Sequence, residues 1–187
     1  MSGPSHQDVV RSAARWLKAG LKLDYVVPEA KNAQGRYPDV VGMPRVLALP
    51  PSTPVQVWSV ECKRARVDLV GDLKRGKLLT YEQDATRCVL YAWHDAFDVH
   101  PRIKGRPESA AEILADLAAL GLPEHWGVRV LWGSGVGPRC PASNIREPAK
   151  LRDLRAGDVT VYAESLLYQA CARLVGCRWP AVDEGER

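Results

Sequence analysis

The run Val55-Gln56-Val57-Trp58-Ser59-Val60-Glu61-Cys62-Lys63 alternates along its length, is rich in β-branched and aromatic residues, and reads as the best strand in the chain. After it the period changes. Leu69, Leu73, Leu78 (or Leu79) and Tyr81 recur at helical spacing between about residues 68 and 84, and Arg87 to Trp93 reads as strand again. Together they form a strand, helix, strand unit.

Upstream, Ser5 and Asp8 precede an apolar stripe of Val9, Val10, Ala13, Trp16 and Leu17, which predicts a helix over about 6–19 closed by Gly20. Leu23 to Val27 is a short strand ending at Pro28, and a second strand covers about 36–43 after the polar turn Lys31 to Gly35. Pro44, Pro50, Pro51 and Pro54 make a stiff connection to the central strand. Downstream come a polar loop from Asp95 to Arg106, a helix opened by Pro107 and stopped at Gly121, and a last strand from Gly127 to Trp132. A loop rich in Gly and Pro, 133–141, leads to a final helix, Val159 to Leu174, capped at Gly176. Helices alternate with strands too apolar to be one-sided. The expected class is therefore α/β, a central mixed sheet flanked by helices on both faces, in a single domain 1–187.

The 187 residues are 46% apolar and 26% charged, enough for one core and unlike a disordered tail or a disulfide mini-protein. No run approaches the roughly 20 apolar residues of a membrane span, and Met1 to Asp8 lacks the apolar segment of a secretory signal. A soluble, cytoplasmic protein with no membrane partner is expected. The five cysteines contain no CxxC pair and are expected to be buried free thiols. The net charge of +4 permits a polyanionic partner without demanding one.

An acidic residue two before a lysine occurs three times, as Glu29-Ala30-Lys31, Glu61-Cys62-Lys63 and Asp72-Leu73-Lys74. Position selects among them: the first lies in a turn, the third within a helix, and only the second closes a strand. Strand alternation turns Glu61 and Lys63 to one face and Cys62 to the other. If strands 36–43 and 55–63 pair as an antiparallel hairpin centred on Pro50, Asp39 lies opposite Glu61, with Cβ atoms about 5 Å apart. Two carboxylates so placed repel unless a cation lies between them, and they form a hard oxygen site suited to Mg²⁺ or Mn²⁺.

Helix 6–19, the strand with Pro38-Asp39, the strand ending Glu61-Cys62-Lys63, the basic helix after it and Arg87 to Trp93 resemble the PD-(D/E)XK nuclease superfamily, the restriction-endonuclease-like fold. The run Arg36-Tyr37-Pro38-Asp39-Val40-Val41, with Val60-Glu61-Cys62-Lys63 and Asp68 to Asp72, looks most like the MmcB-type repair nucleases, although Lys74 to Tyr81 is longer than in that subgroup. The resemblance implies a metal-dependent DNA endonuclease of repair, restriction or mobile-element processing. Mg²⁺ or Mn²⁺ would be held by Asp39, Glu61 and the backbone carbonyl of Cys62. Lys63 would position or deprotonate the attacking water, the latter helped if a nearby cation lowers its pKa.

Members of the superfamily often add an acid from the first helix, which makes Asp8 a candidate ligand, although Ser5-x-x-Asp8 is also a capping box. Glu29 is a candidate supporting acid, and Gln83 resembles a glutamine found after the lysine in some relatives. Between 63 and 77 six basic residues face two acidic ones. Arg64, Arg66, Lys74, Arg75 and Lys77 are the expected contacts to DNA phosphates.

Other features lack context. Gly133 to Gly137 is followed by prolines rather than a helix, and the four histidines are not spaced as metal ligands and suit surface or loop positions. Trp16, Trp58, Trp93 and Trp132 fall on periodic elements and are expected in the core. Residues 95–187 carry no readable chemistry and are expected to complete the fold, with substrate choice or homodimer contacts as their further uses. Two other readings remain open: a nucleic-acid-binding or assembly module without turnover, and an α/β protein whose acidic strand ends are structural.

Overall fold

A computed structural model of the chain describes residues 3–31, 35–97, 110–132 and 142–174. Helix α1 is His6–Arg15 and runs on through a π-helical turn, Trp16–Gly20. The strands and helices that follow are β1 (Tyr25–Pro28), β2 (Val40–Met43), β3 (Pro54–Val55), β4 (Trp58–Lys63), α2 (Arg66–Lys74) and β5 (Arg87–Trp93). After these come α3 (Ala110–Ala119), β6 (Gly127–Leu131), β7 (Ala142–Arg146), β8 (Leu154–Arg155) and α4 (Ala156–Leu174). Six strands form one mixed sheet in the order β1-β2-β4-β5-β6-β7, and β3 and β8 form a separate antiparallel pair. Within the sheet, β4-β5-β6 are parallel and the remaining pairings antiparallel.

Helices cover both faces, as the apolar strands require. On one face Val40, Val60, Cys62, Val89 and Tyr91 pack against Val9, Val10, Ala13 and Leu17 of α1. On the other, Leu90, Ala92, Val128 and Val130 meet Leu69 of α2 and Ile113 and Leu117 of α3, while Val41 and Met43 meet Val159, Ala163 and Leu166 of α4. No helix among the described residues is long and apolar enough to cross a membrane.

Several expected elements are shorter or divided. The strand expected over 55–63 breaks before Trp58, where the Val57 N–H turns to a side chain, donating to Thr86 Oγ1 at 2.9 Å, while its carbonyl accepts from the Thr86 and Arg87 N–H groups at 2.8 and 3.1 Å. The strand expected over 36–43 begins only at Val40, after Pro38, which has no N–H for a ladder. The helix expected to reach residue 84 stops at Lys74. Gly76, at φ 64°, closes it with a Schellman turn in which the Gly76 and Lys77 N–H groups donate to the Leu73 and Asp72 carbonyls at 3.0 and 3.1 Å. A 3-10 segment, Leu78–Asp84, follows.

Gly127 to Trp132 is not the last strand, since β7 pairs antiparallel with β6, a contact in a stretch whose polar sequence hid it. Trp58 and Trp93 are buried as expected, whereas Trp16 and Trp132 are half-buried. Cys62 and Cys88 are buried thiols, but Cys171 is exposed. The polar loop at 98–106, the opening at Pro107, the loop 133–141 and the cap at Gly176 lie outside the described residues.

Thr86, fully buried, also donates to the Val57 carbonyl through Oγ1 at 3.0 Å, and so ties the entry of β4 to that of β5. Thr86→Val keeps the shape and leaves the buried Val57 N–H without its acceptor. A loss of about 1–3 kcal/mol of stability is expected in denaturant unfolding, and wild-type stability would contradict this role.

Candidate functional site

In the β2–β4 pairing Val40 faces Val60 and Gly42 faces Trp58. One step further along the same register, Asp39 stands opposite Glu61, as expected from a turn centred on Pro50. The site lies where β4 reaches its carboxyl end and β2 begins. The Cys62 N–H donates to Asp39 Oδ2 at 2.6 Å, so this residue's peptide groups turn toward β2. A continued ladder would pair Cys62 with residue 38, and proline there has no N–H to give to the Cys62 carbonyl. Pro38 thus leaves that carbonyl without a donor from β2, and the carboxylate of Asp39 takes the neighbouring N–H.

Glu61 is wholly buried. Its Oε1 accepts from Lys63 Nζ at 2.6 Å and from Lys77 Nζ at 2.9 Å, while its Oε2, also buried, has no hydrogen-bond partner among the described residues. Burial and then the negative charge of Asp39 raise the Glu61 pKa above the usual carboxylate range, against the pull of the two lysines. Such a carboxylate is relieved by added positive charge.

Lys63 is held from its other side by Asp72 Oδ2 at 2.5 Å. Burial works against its charge, but Glu61 and the hydrogen bonds to Asp72 and Glu61 outweigh it, and the lysine pKa is raised. Flanked by carboxylates, Lys63 is a fixed cation, and the lowered pKa of a base belongs only to a state with a cation beside it. Burial likewise opposes the charge of Asp72, yet hydrogen bonds from Lys63 and Arg75 and the charges of Lys63 and Lys77 hold its pKa well below the usual range.

The remaining candidates divide. Asp8 Oδ2 accepts from the Ser5 N–H at 3.0 Å and the Ser5 hydroxyl at 2.5 Å, so its carboxylate caps α1. His6 is the α1 residue at the site, with Nε2 3.2 Å from Asp39 Oδ1, and that contact raises its pKa. Glu29, at φ 50°, donates its N–H to the Asp39 carbonyl at 2.7 Å, and its Oε1 accepts from Gln7 at 2.6 Å. It braces the loop that presents Asp39. Gln83 is exposed and lines a cavity of about 350 Å³ with Lys31, Asp158 and Tyr162.

Of the five basic candidates, Arg64, Lys74 and Arg75 are exposed. Arg66 forms a two-pronged ion pair with Asp116, Arg75 pairs with Asp72, and Lys77 bridges Glu61 and Asp72.

Sequence reasoning passed over Asp72 and His6. Asp72 had a signal, because it lies three residues after buried Leu69 on the inner side of the helix that follows the Glu-x-Lys strand, where an acid must find a partner. His6 had none, since the first turn of a helix reveals its neighbour only after the helix is docked.

Among the described residues, no three His, Cys, Asp or Glu side chains group closely enough to hold a metal by themselves. The donors that the β2–β4 junction could offer are the Asp39 and Glu61 carboxylates and the Cys62 carbonyl. That set suits Mg²⁺, which takes one or two carboxylates and completes its octahedron with water and phosphate oxygens. The buried Glu61 Oε2 beside a second negative charge fits the same ion.

No family model and no curated protein matches the chain. Among solved structures it is similar to the SPO1766 protein of unknown function from Silicibacter pomeroyi, with 20% identity and a TM-score of 0.57 over 100% of this chain and 98% of that one. The likeness extends over the whole α/β fold.

Proposed function

We propose that this protein is a cytoplasmic, Mg²⁺- or Mn²⁺-dependent endonuclease that hydrolyses DNA phosphodiester bonds, in the manner of the PD-(D/E)XK nucleases it resembles. The observation that carries the reading is Glu61, a fully buried carboxylate with one oxygen lacking any partner among the described residues, set beside the charge of Asp39. Burying such an oxygen without a partner costs free energy, and a site that keeps it is built for a ligand.

Asp39, Glu61 and the Cys62 carbonyl are the groups that would hold the ion. When bound, the ion supplies charge stabilisation at the phosphoryl oxygens and acidifies a water. The chain's own residues do the rest. Lys63, fixed between Glu61 and Asp72, would offer its remaining N–H to the same oxygens and orient the attacking water. His6 and the Cys62 N–H hold the two oxygens of Asp39 and keep its carboxylate turned to the junction. Arg64, exposed directly after β4, and Lys74, exposed at the end of α2, would supply phosphate contacts that fix the DNA without reading its sequence. Internal pairing of Arg66, Arg75 and Lys77 trims the basic surface, which disfavours a module that only binds nucleic acid.

Cleavage of supercoiled plasmid or single-stranded DNA is expected with Mg²⁺ or Mn²⁺ and not with EDTA. Asp39→Ala, Glu61→Ala and Lys63→Ala are each expected to lower the rate by at least about 10²-fold. Wild-type rates in Asp39→Ala or Glu61→Ala would eliminate the mechanism. In fluorescence anisotropy with Ca²⁺, Arg64→Ala and Lys74→Ala should each weaken binding of all sequences alike and reduce the salt slope by about 1. Arg66→Ala should chiefly lower thermal stability, because it strands Asp116. An Arg66→Ala protein of native stability with the largest binding loss would reverse that division of labour.

A further inference from the structure

Four side chains close a ring of alternating charge. Glu61 Oε1 accepts from Lys63 and Lys77 at 2.6 and 2.9 Å, and Asp72 Oδ2 accepts from the same two ammonium groups at 2.5 and 3.2 Å. Three corners are closed to water: the Glu61, Lys63 and Asp72 side chains are 0%, 7% and 8% exposed, whereas Lys77 is 41% exposed. The Schellman turn at Gly76 fixes the Lys77 backbone on the Asp72 carbonyl, so the flexible stem can swing while its root stays in place.

The geometry points to Lys77 as a displaceable counter-ion, whose ammonium neutralises Glu61 until a divalent cation arrives and then releases that carboxylate to it. This deepens the metal-site reading above and rests on it. Charge balance supplies the reason. Glu61 and Asp72 are paired with Lys63, Lys77 and Arg75, and Asp39 with His6, so a divalent cation brings two further positive charges to carboxylates that already have partners. Of the two ammonium groups on Glu61, Lys77 is the one that can carry charge away, because its side chain is 41% exposed and that of Lys63 only 7%. Freed from Glu61, the ammonium remains beside Asp72 or turns to a substrate phosphate. Lys77 therefore sets the threshold at which the site loads.

The test is calorimetric titration of the full chain with Mn²⁺ at low ionic strength. Lys77→Met is expected to bind Mn²⁺ about tenfold more tightly than wild type, with Lys77→Arg close to wild type. Lys18→Met removes the same unit of charge away from the ring and should change the affinity by no more than about twofold. Equal or weaker binding by Lys77→Met, with wild type taking up Mn²⁺, overturns the exchange and leaves the nuclease reading standing. Absence of uptake by both proteins overturns both. A second measurement needs no variant to fold: in reductively ¹³C-methylated wild type, the Lys77 methyl resonance should move toward that of an exposed lysine as Mg²⁺ is added. A resonance that stays fixed while Mg²⁺ binds contradicts the release.

Discussion

The antiparallel register between β2 and β4, in which Val40 faces Val60, is the constraint on which the site depends. It brings Asp39, just before β2, across from Glu61 near the end of β4. A slip of one residue would turn every β4 side chain to the opposite face, sending Glu61 and Lys63 under α1 and Cys62 toward α2. Burial on both faces forbids that slip, since Val60 and Cys62 pack against α1 while Leu90 and Ala92 on the neighbouring strand pack under α2 and α3. The hydrophobic core thus does more than stabilise the sheet. It fixes which carboxylates meet.

The buried charges are the counterpart of that constraint. Ionic groups this deep in a protein cost more in lost hydration than simple pairing recovers, and apolar replacements of similar volume often serve stability as well or better. The ring of Glu61, Lys63, Asp72 and Lys77 lowers the cost by giving each ammonium two carboxylates and sharing each carboxylate between two ammoniums. It does not remove the cost, because Glu61 Oε2 has no hydrogen-bond partner among the described residues. Asp39 is handled differently: its two oxygens meet a peptide N–H and the His6 ring at the rim of the sheet. One carboxylate is clamped by lysines within the fold and the other braced at its edge, with the junction left between them.

Much of this was readable from the residues, and the failures share a cause. Alternation in Trp58 to Lys63 and the apolar run Arg87 to Trp93 place two central strands, and the proline-rich connection gives the register that joins Asp39 to Glu61. The lysine clamp was half visible: Glu61 and Lys63 share a face by simple strand geometry. Its other half, Asp72 and Lys77, depends on where α2 turns back over β4 and on the left-handed Gly76, both tertiary facts. The strand β7 was missed because three of its five residues, Ser143, Asn144 and Arg146, are polar, and an outer strand needs an apolar pattern on only one side. His6 and Asp8 exchanged expectations for a local reason. The capping box uses the acid, and the adjoining ring is left to face Asp39.

The most direct measurement is an anomalous difference map from crystals soaked in Mn²⁺. The account predicts a single strong peak at the β2–β4 junction, within coordination distance of the Asp39 and Glu61 carboxylates and the Cys62 carbonyl, with the Lys77 ammonium withdrawn from Glu61. A map with no peak there, or with manganese only in the cavity beside Tyr162, would contradict it.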